Sequence, residues 1–152
     1  ISLGLVGSEM CIRDRRKTRE LVMKSIYRGI VNQFDINQIK KDIKDDPHYL
    51  MADEKMYLSL FNGIYDNYKM LEVEIKHYVD RDYNELSPIE LAILYCSLYE
   101  LRFSLDVPYK VVINEAIEIA KSFGGSDGFK FINGILNKAA GNYRKDEFSL
   151  RI

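Results

Sequence analysis

The chain is expected to fold as an all-α protein, and three features of the sequence carry that expectation. Apolar residues recur at spacings of three and four through almost every segment. No segment alternates with period two between turn signals. Helix start and stop residues also stand at the edges of the periodic runs. Together the periodic pieces amount to about seven helices.

From Arg15 to about Phe34, the residues Leu21, Val22, Ser25, Ile26, Gly29 and Ile30 share one face. Arg15, Arg16, Lys17 and Arg19 precede that stripe or lie on its polar side. Basic charge at a helix N-terminus opposes the macrodipole, which hints at an external anion; on spacing alone a solvated charge run is the favoured reading. Asp35 to Asp46 forms a short helix with Ile36, Ile39 and Ile43 on one side, closed by Asp45-Asp46-Pro47. Asp53 is placed to cap a longer helix that turns Met56, Tyr57, Leu60, Phe61 and Ile64 inward, with Gly63 allowing close helix packing. A further helix runs from about Asn67 to Val79, followed by a polar connector at Arg81-Asp82-Tyr83-Asn84. Ser87-Pro88-Ile89-Glu90 then reads as a capping box with proline in the first turn. The helix beyond it is apolar on more than one side, which places it centrally.

Asp106 to Ala140 reads as helix, tight break, helix. Val107-Pro108 opens the first of the pair, and Val112, Ala116, Ile119, Ala120 and Phe123 form its stripe. Gly124-Gly125 ends it, and Ser126 or Asp127 is placed to cap the next helix through a side-chain oxygen. That helix carries Phe131, Ile132, Ile135, Leu136 and Ala139. Packing does not account for the polar set left over at the break and along one side: Asn114, Asp127, Lys130 and Asn133. The charged tail at 143–152 lacks a stripe and is expected to fray.

Composition excludes several classes. The 152 residues are 47% hydrophobic and 30% charged with a net charge of −1, which fits one globular domain and announces no global polyanion field. Positive charge is nevertheless concentrated near the start, from Arg13 to Arg28. Cys11 and Cys96, with His48 and His77, make no ligand spacing, so neither a metal nor a cofactor is expected. No apolar run approaches membrane-spanning length, and the expected location is the cytoplasm. Enzyme motifs are missing as well: there is no Gly-x-Ser-x-Gly and no phosphate-cradling loop. Glu115 and Glu118 read as surface charges, with Lys121 at helical spacing from Glu118. Residues 1–14 are expected to be a non-native leader or translated-adapter scar, too short and glycine-broken for a signal peptide. Residues 15–142 form the domain proper.

RNA binding finds better parts. Arg16 and Arg19 suit phosphates, Tyr78, Lys130 and Phe131 suit stacking or hydrogen bonding, and Asp127 suits a base edge. On the residues alone, Tyr78 and Phe131 read as core and Asp127 as a cap.

The run Pro108-Tyr109-Lys110-Val111 through Asn133-Gly134 resembles the NusB family of transcription antitermination proteins, and the similarity extends from about Arg15 to Ala140. The resemblance implies two helical bundles, one per half of the chain. It also implies a factor that binds the boxA element of nascent ribosomal RNA together with ribosomal protein NusE. Other Nus factors and RNA polymerase are the implied partners beyond these. By the same resemblance Arg15, Arg16, Arg19, Tyr78, Asp127, Lys130 and Phe131 occupy the RNA-binding positions. Glu90 matches an acidic position at the protein interface, with Tyr27 and Glu85 near it as secondary candidates. Gly128-Phe129 departs from the small polar-to-histidine pair common in the family. Two alternatives stand beside this: the NusB-like domain of a 16S ribosomal RNA cytosine methyltransferase, and a helical protein-interaction adaptor.

Overall fold

The computed structural model describes the backbone of residues 3–123 and 127–149, and side chains over 14–123 and 127–149. Cys11, Arg13, Gly124, Gly125 and Ser126 therefore lie outside the residues whose side chains are described. Among the described residues eight helices run in order: α1 Leu3–Val31, α2 Ile36–Asp42, α3 Glu54–Asp66, α4 Tyr68–Tyr78, α5 Pro88–Phe103, α6 Tyr109–Phe123, α7 Gly128–Tyr143 and α8 Lys145–Ser149. Short 3-10 turns at Ile43–Asp45, Tyr49–Met51 and Tyr83–Glu85 join them, and no strand occurs among the described residues.

Local chemistry sets the starts of these helices. Asp35 accepts from Gln38 N and Asp53 from Met56 N, each satisfying a first-turn amide. At α5 the capping box is complete: Ser87 Oγ accepts from Glu90 N at 3.1 Å, and Ser87 N donates to Glu90 Oε1 at 3.4 Å. Gly63 is the close-packing position that the sequence implies, because a Cβ there would meet the Tyr99 hydroxyl at 2.0 Å.

The core is assembled around α5, which touches α1, α3, α4, α6 and α7. Leu91, Ala92, Ile93, Leu94, Tyr95, Leu98 and Leu101 are all buried along it. The α1 stripe of Leu21, Val22 and Ile26 closes on α5 and α3, so the two halves of the chain share one apolar interior. Burying such side chains stabilises by roughly 1.5–3 kcal/mol each. Buried polar groups in this interface are paired. Ser25 Oγ lies 2.7 Å from Tyr57 Oη, and Thr18 Oγ1 accepts from Asp53 N at 2.8 Å, tying α1 to the start of α3.

Two expectations about the chain ends are corrected. α1 starts at Leu3, so Arg15 to Arg19 lie well inside it, and the macrodipole argument, which decays within one turn, does not apply to them. The tail is also not frayed as far as it is described. Arg144 is buried and donates five hydrogen bonds: to the carbonyls of Glu100, Leu101, Ser104 and Val107, and to Glu147 Oε1. It thereby satisfies the open carbonyls at the end of α5, where a cation also complements the dipole. Glu147 accepts from Tyr109 N at the start of α6, and the Phe148 ring packs on Tyr109. α8 thus holds the α5–α6 corner closed.

Candidate nucleic-acid interface

The amphipathic register of α1, α6 and α7 brings their polar flanks together above the core. There they form an open hollow of about 740 Å³ whose wall includes Arg16 from α1, Asn114, Glu118 and Lys121 from α6, and Lys130 and Asn133 from α7. Arg16 and Lys130 lie more than a hundred residues apart in sequence, yet they line one concavity. The unexplained polar set of the sequence is gathered there, with Asp127 one helical turn from Lys130 at 3.6 Å.

Each candidate has a definite environment. Arg16 has a side chain 47% exposed, and its Nε donates to Glu115 Oε2 at 2.9 Å. The hydrogen bond to Glu115 pushes the already high guanidinium pKa further up, so Arg16 is a fixed cation. Arg15 is exposed and opens on a different hollow, beside Ser104, Asp106 and Val107, as a 100° step per residue requires. Asp127 and Lys130 are 82% and 70% exposed. Asp127 makes no side-chain cap on α7 and its carboxylate pairs with Lys130; Ser126, the other expected cap, lies outside the described residues. Phe131 is half-buried on the opposite flank of α7, with the Arg81 guanidinium 3.9 Å from the ring centroid.

Two candidates are corrected by burial. Arg19 is 8% exposed and forms a two-point pair with Glu100, Nε to Oε1 at 2.8 Å and Nη2 to Oε2 at 3.1 Å. Its charge is directed into the α1–α5 interface, away from any external phosphate. Tyr78 is 8% exposed, with its hydroxyl accepting from Asn142 at 2.8 Å and its ring edge-on to Tyr143. It packs α4 against α7 and offers no free stacking face. A sign of the Arg19 pairing lies in the sequence, since Arg19 precedes Val22, Met23 and Ile26 at helical spacing and so extends the buried stripe.

Arg81 sits in the polar connector after α4 and is not among the residues that the sequence singles out for binding. Its only marker is position, just beyond the end of α4, and its closeness to Phe131 depends on tertiary packing. Of the protein-interface candidates, Glu90 is held in the capping box through Oε1, while Oε2 faces the first turn of α7 and would stand 3.4 Å from a Cβ at Gly128. Tyr27 on α1 and Glu85 in the 83–85 turn are exposed.

The arrangement suits binding. Among the described residues no group of His, Cys, Asp and Glu side chains could hold a metal ion. Burial pushes the Cys96 thiol pKa up, which keeps it protonated. Among those residues, too, no helix is long and apolar enough to cross a membrane. Cations and amides around an open hollow, with a half-buried aromatic on the other flank of α7, are groups that take a flexible polyanion with unstacked bases.

Comparison with known proteins agrees with this architecture. The chain is 45% identical over 136 residues to the transcription antitermination protein NusB of Methylobacillus flagellatus, covering 90% of this chain and 88% of that one. It is 42% identical over 133 residues to the protein of the same name from Neisseria meningitidis, covering 88% and 94%. A solved structure of T. maritima NusB superposes with a TM-score of 0.78 at 33% identity, over 89% of this chain and 96% of that one. The sequence model of the NusB family matches residues 16–141, and the chain belongs to that family.

Proposed function

We propose that this protein is a cytoplasmic, non-catalytic transcription antitermination factor. In this reading it binds the boxA element of nascent ribosomal RNA as a pair with ribosomal protein NusE, within a larger assembly of Nus factors and RNA polymerase. The observation that carries the RNA part is the convergence of Arg16, Lys130 and Asn133 on one hollow, with Asp127 beside it. Arg15, Arg16 and Lys130 supply phosphate affinity, Asp127 accepts hydrogen bonds from a base edge, and Phe131 with Arg81 offers a stacking pair. Glu90, Tyr27 and Glu85 are the candidates for the NusE contact. Support for that second surface comes from Glu90, whose Oε2 is not needed by the capping box. The test is a titration of labelled single-stranded RNA carrying a boxA-like motif. Binding that weakens with salt, prefers the motif over a scrambled sequence and tightens when NusE is added is the expected result. Equal binding of scrambled RNA with no response to NusE defeats the reading.

A further inference from the structure

We propose that the RNA surface continues beyond Arg16 and Lys130 along the groove between α6 and α7, where Asn114, Asn133 and Asn137 read the bases of a flanking single-stranded segment. The inference rests on the RNA reading above and extends its path. Two hollows meet in this groove and share Asn114 and Asn133 as a common wall: the one of about 740 Å³ containing Arg16 and Lys130, and another of about 300 Å³ containing Asn137, Lys110 and Tyr109. Lys121 and Lys110 mark its two ends on α6, about 16 Å apart at the helical rise, which is room for a few extended nucleotides.

The side chains along this path have the chemistry of base readout. Each asparagine offers a carbonyl acceptor and an amide donor, the combination that recognises base edges. The row is also partly fixed in advance. Asn137 Nδ2 donates to the Asn133 backbone carbonyl at 2.9 Å and to Asn133 Oδ1 at 3.0 Å, which ties the two side chains together. Preorganised donors lose less entropy when a ligand arrives. The charge pattern favours RNA over a protein segment, because Lys110, Lys121 and Lys130 flank the row and Glu118 is the acid on its wall.

Fluorescence anisotropy with a short boxA-like RNA, and with the same RNA extended by several nucleotides at its 5′ or its 3′ end, tests the path. The wild-type protein should bind one of the extended RNAs about fivefold or more tighter than the short one, the size of a net hydrogen bond or two. The variant N137A, which lies outside the hollow of Arg16 and Lys130, should keep its affinity for the short RNA and lose the advantage of the extension. The near-isosteric N114D, which replaces a donor with a charged acceptor, should lose it as well while melting at the wild-type temperature. Two results overturn the groove alone: no advantage from either extension, or equal weakening of short and extended RNA by the asparagine variants. If the short RNA fails to bind the wild-type protein, the proposed function itself is wrong and the groove falls with it.

Discussion

Arg16 donates to Glu115 at 2.9 Å across the seam between α1 and α6, so the cation nearest the proposed RNA path already has an anionic partner. The Glu115 side chain is 12% exposed and that of Arg16 is 47% exposed. A phosphate can therefore reach the guanidinium from the solvent side without displacing the carboxylate, whose burial keeps it in place. Glu115 acts as the support that holds Arg16 upright over the hollow and at the same time lowers the net positive potential there.

Replacing Arg16 should weaken RNA of any sequence to a similar degree and reduce the slope of log affinity against log salt by about 0.7, the single-strand value for one phosphate contact. Glu115→Gln should leave the fold intact and raise affinity by about threefold through the removed negative charge. Anisotropy titrations at several salt concentrations read both effects. An unchanged salt slope in Arg16→Ala would remove Arg16 from the phosphate path.

The Arg19–Glu100 pair leads to the opposite expectation. Arg19→Ala leaves a carboxylate without its partner inside the α1–α5 interface and should cost about 3–5 kcal/mol of stability. The double variant Arg19→Met with Glu100→Leu should regain most of that, because a well-packed apolar pair can replace a buried ion pair. Thermal unfolding measures both. RNA affinity of the folded double variant should match the wild type, and a large loss would return Arg19 to the RNA surface.

Much of this fold is legible in the sequence where the determinant is local. The capping box of Ser87 and Glu90, the Asp53 cap, and the stripes of α5 to α7 depend on residues within a few positions of one another. Gly63 is legible because only a missing side chain explains glycine within so regular an apolar run. What the sequence does not disclose is which polar side chain finds a partner far along the chain. Arg16 and Arg19 look alike in the basic run and each finds a distant carboxylate, yet Arg16 stays 47% exposed beside Glu115 whereas Arg19 is buried against Glu100, 81 residues away. Register would have separated them, since Glu100 also sits among the buried positions of α5. α8 has only five residues and owes its existence to tertiary anchoring rather than to a stripe of its own.

That anchoring gives a prediction for Arg144. Arg144→Ala would strip the partner from carbonyls at the end of α5 and the start of the α5–α6 connection, at a cost of about 2–4 kcal/mol. Amide hydrogen exchange should rise in α8 and around Tyr109, whose N–H donates to Glu147. If exchange in these segments is already at the unprotected rate in the wild type, the staple described above does not exist in solution.

Alkaline stability should follow the buried phenols. Burial pushes Tyr57 up to about 12 and Tyr83 up to about 12 from an ordinary value of 10.0, and it pushes Tyr95 in the same direction. A folded-state pKa above the unfolded one means that the native state keeps protons the unfolded chain releases. Their contribution is therefore fully present below pH 10.0 and is lost as the pH rises towards about 12. Tyrosinate absorbance should thus show a late-titrating class that ionises together with loss of helical circular dichroism. Titration of every tyrosine near the ordinary value, with the fold intact, would contradict the hydrogen-bonded Tyr83–Tyr95 arrangement at 2.7 Å.

Phe131 and Arg81 make the last and most specific prediction. The guanidinium lies 3.9 Å from the ring centroid, so one face of the aromatic is covered and a base must stack on the other face or on the guanidinium plane itself. Phe131→Ala should weaken RNA binding by about 1–3 kcal/mol, the usual worth of a base–aromatic stack. Arg81→Ala should weaken it less, because the ring survives while a cation and one stacking plane are lost. In a double-mutant cycle the two losses should fall short of additive, since each residue holds the other in its stacking geometry. Additive losses would mean that the two side chains meet RNA independently. A gain in affinity from Arg81→Ala would show instead that the arginine shields the ring from the base.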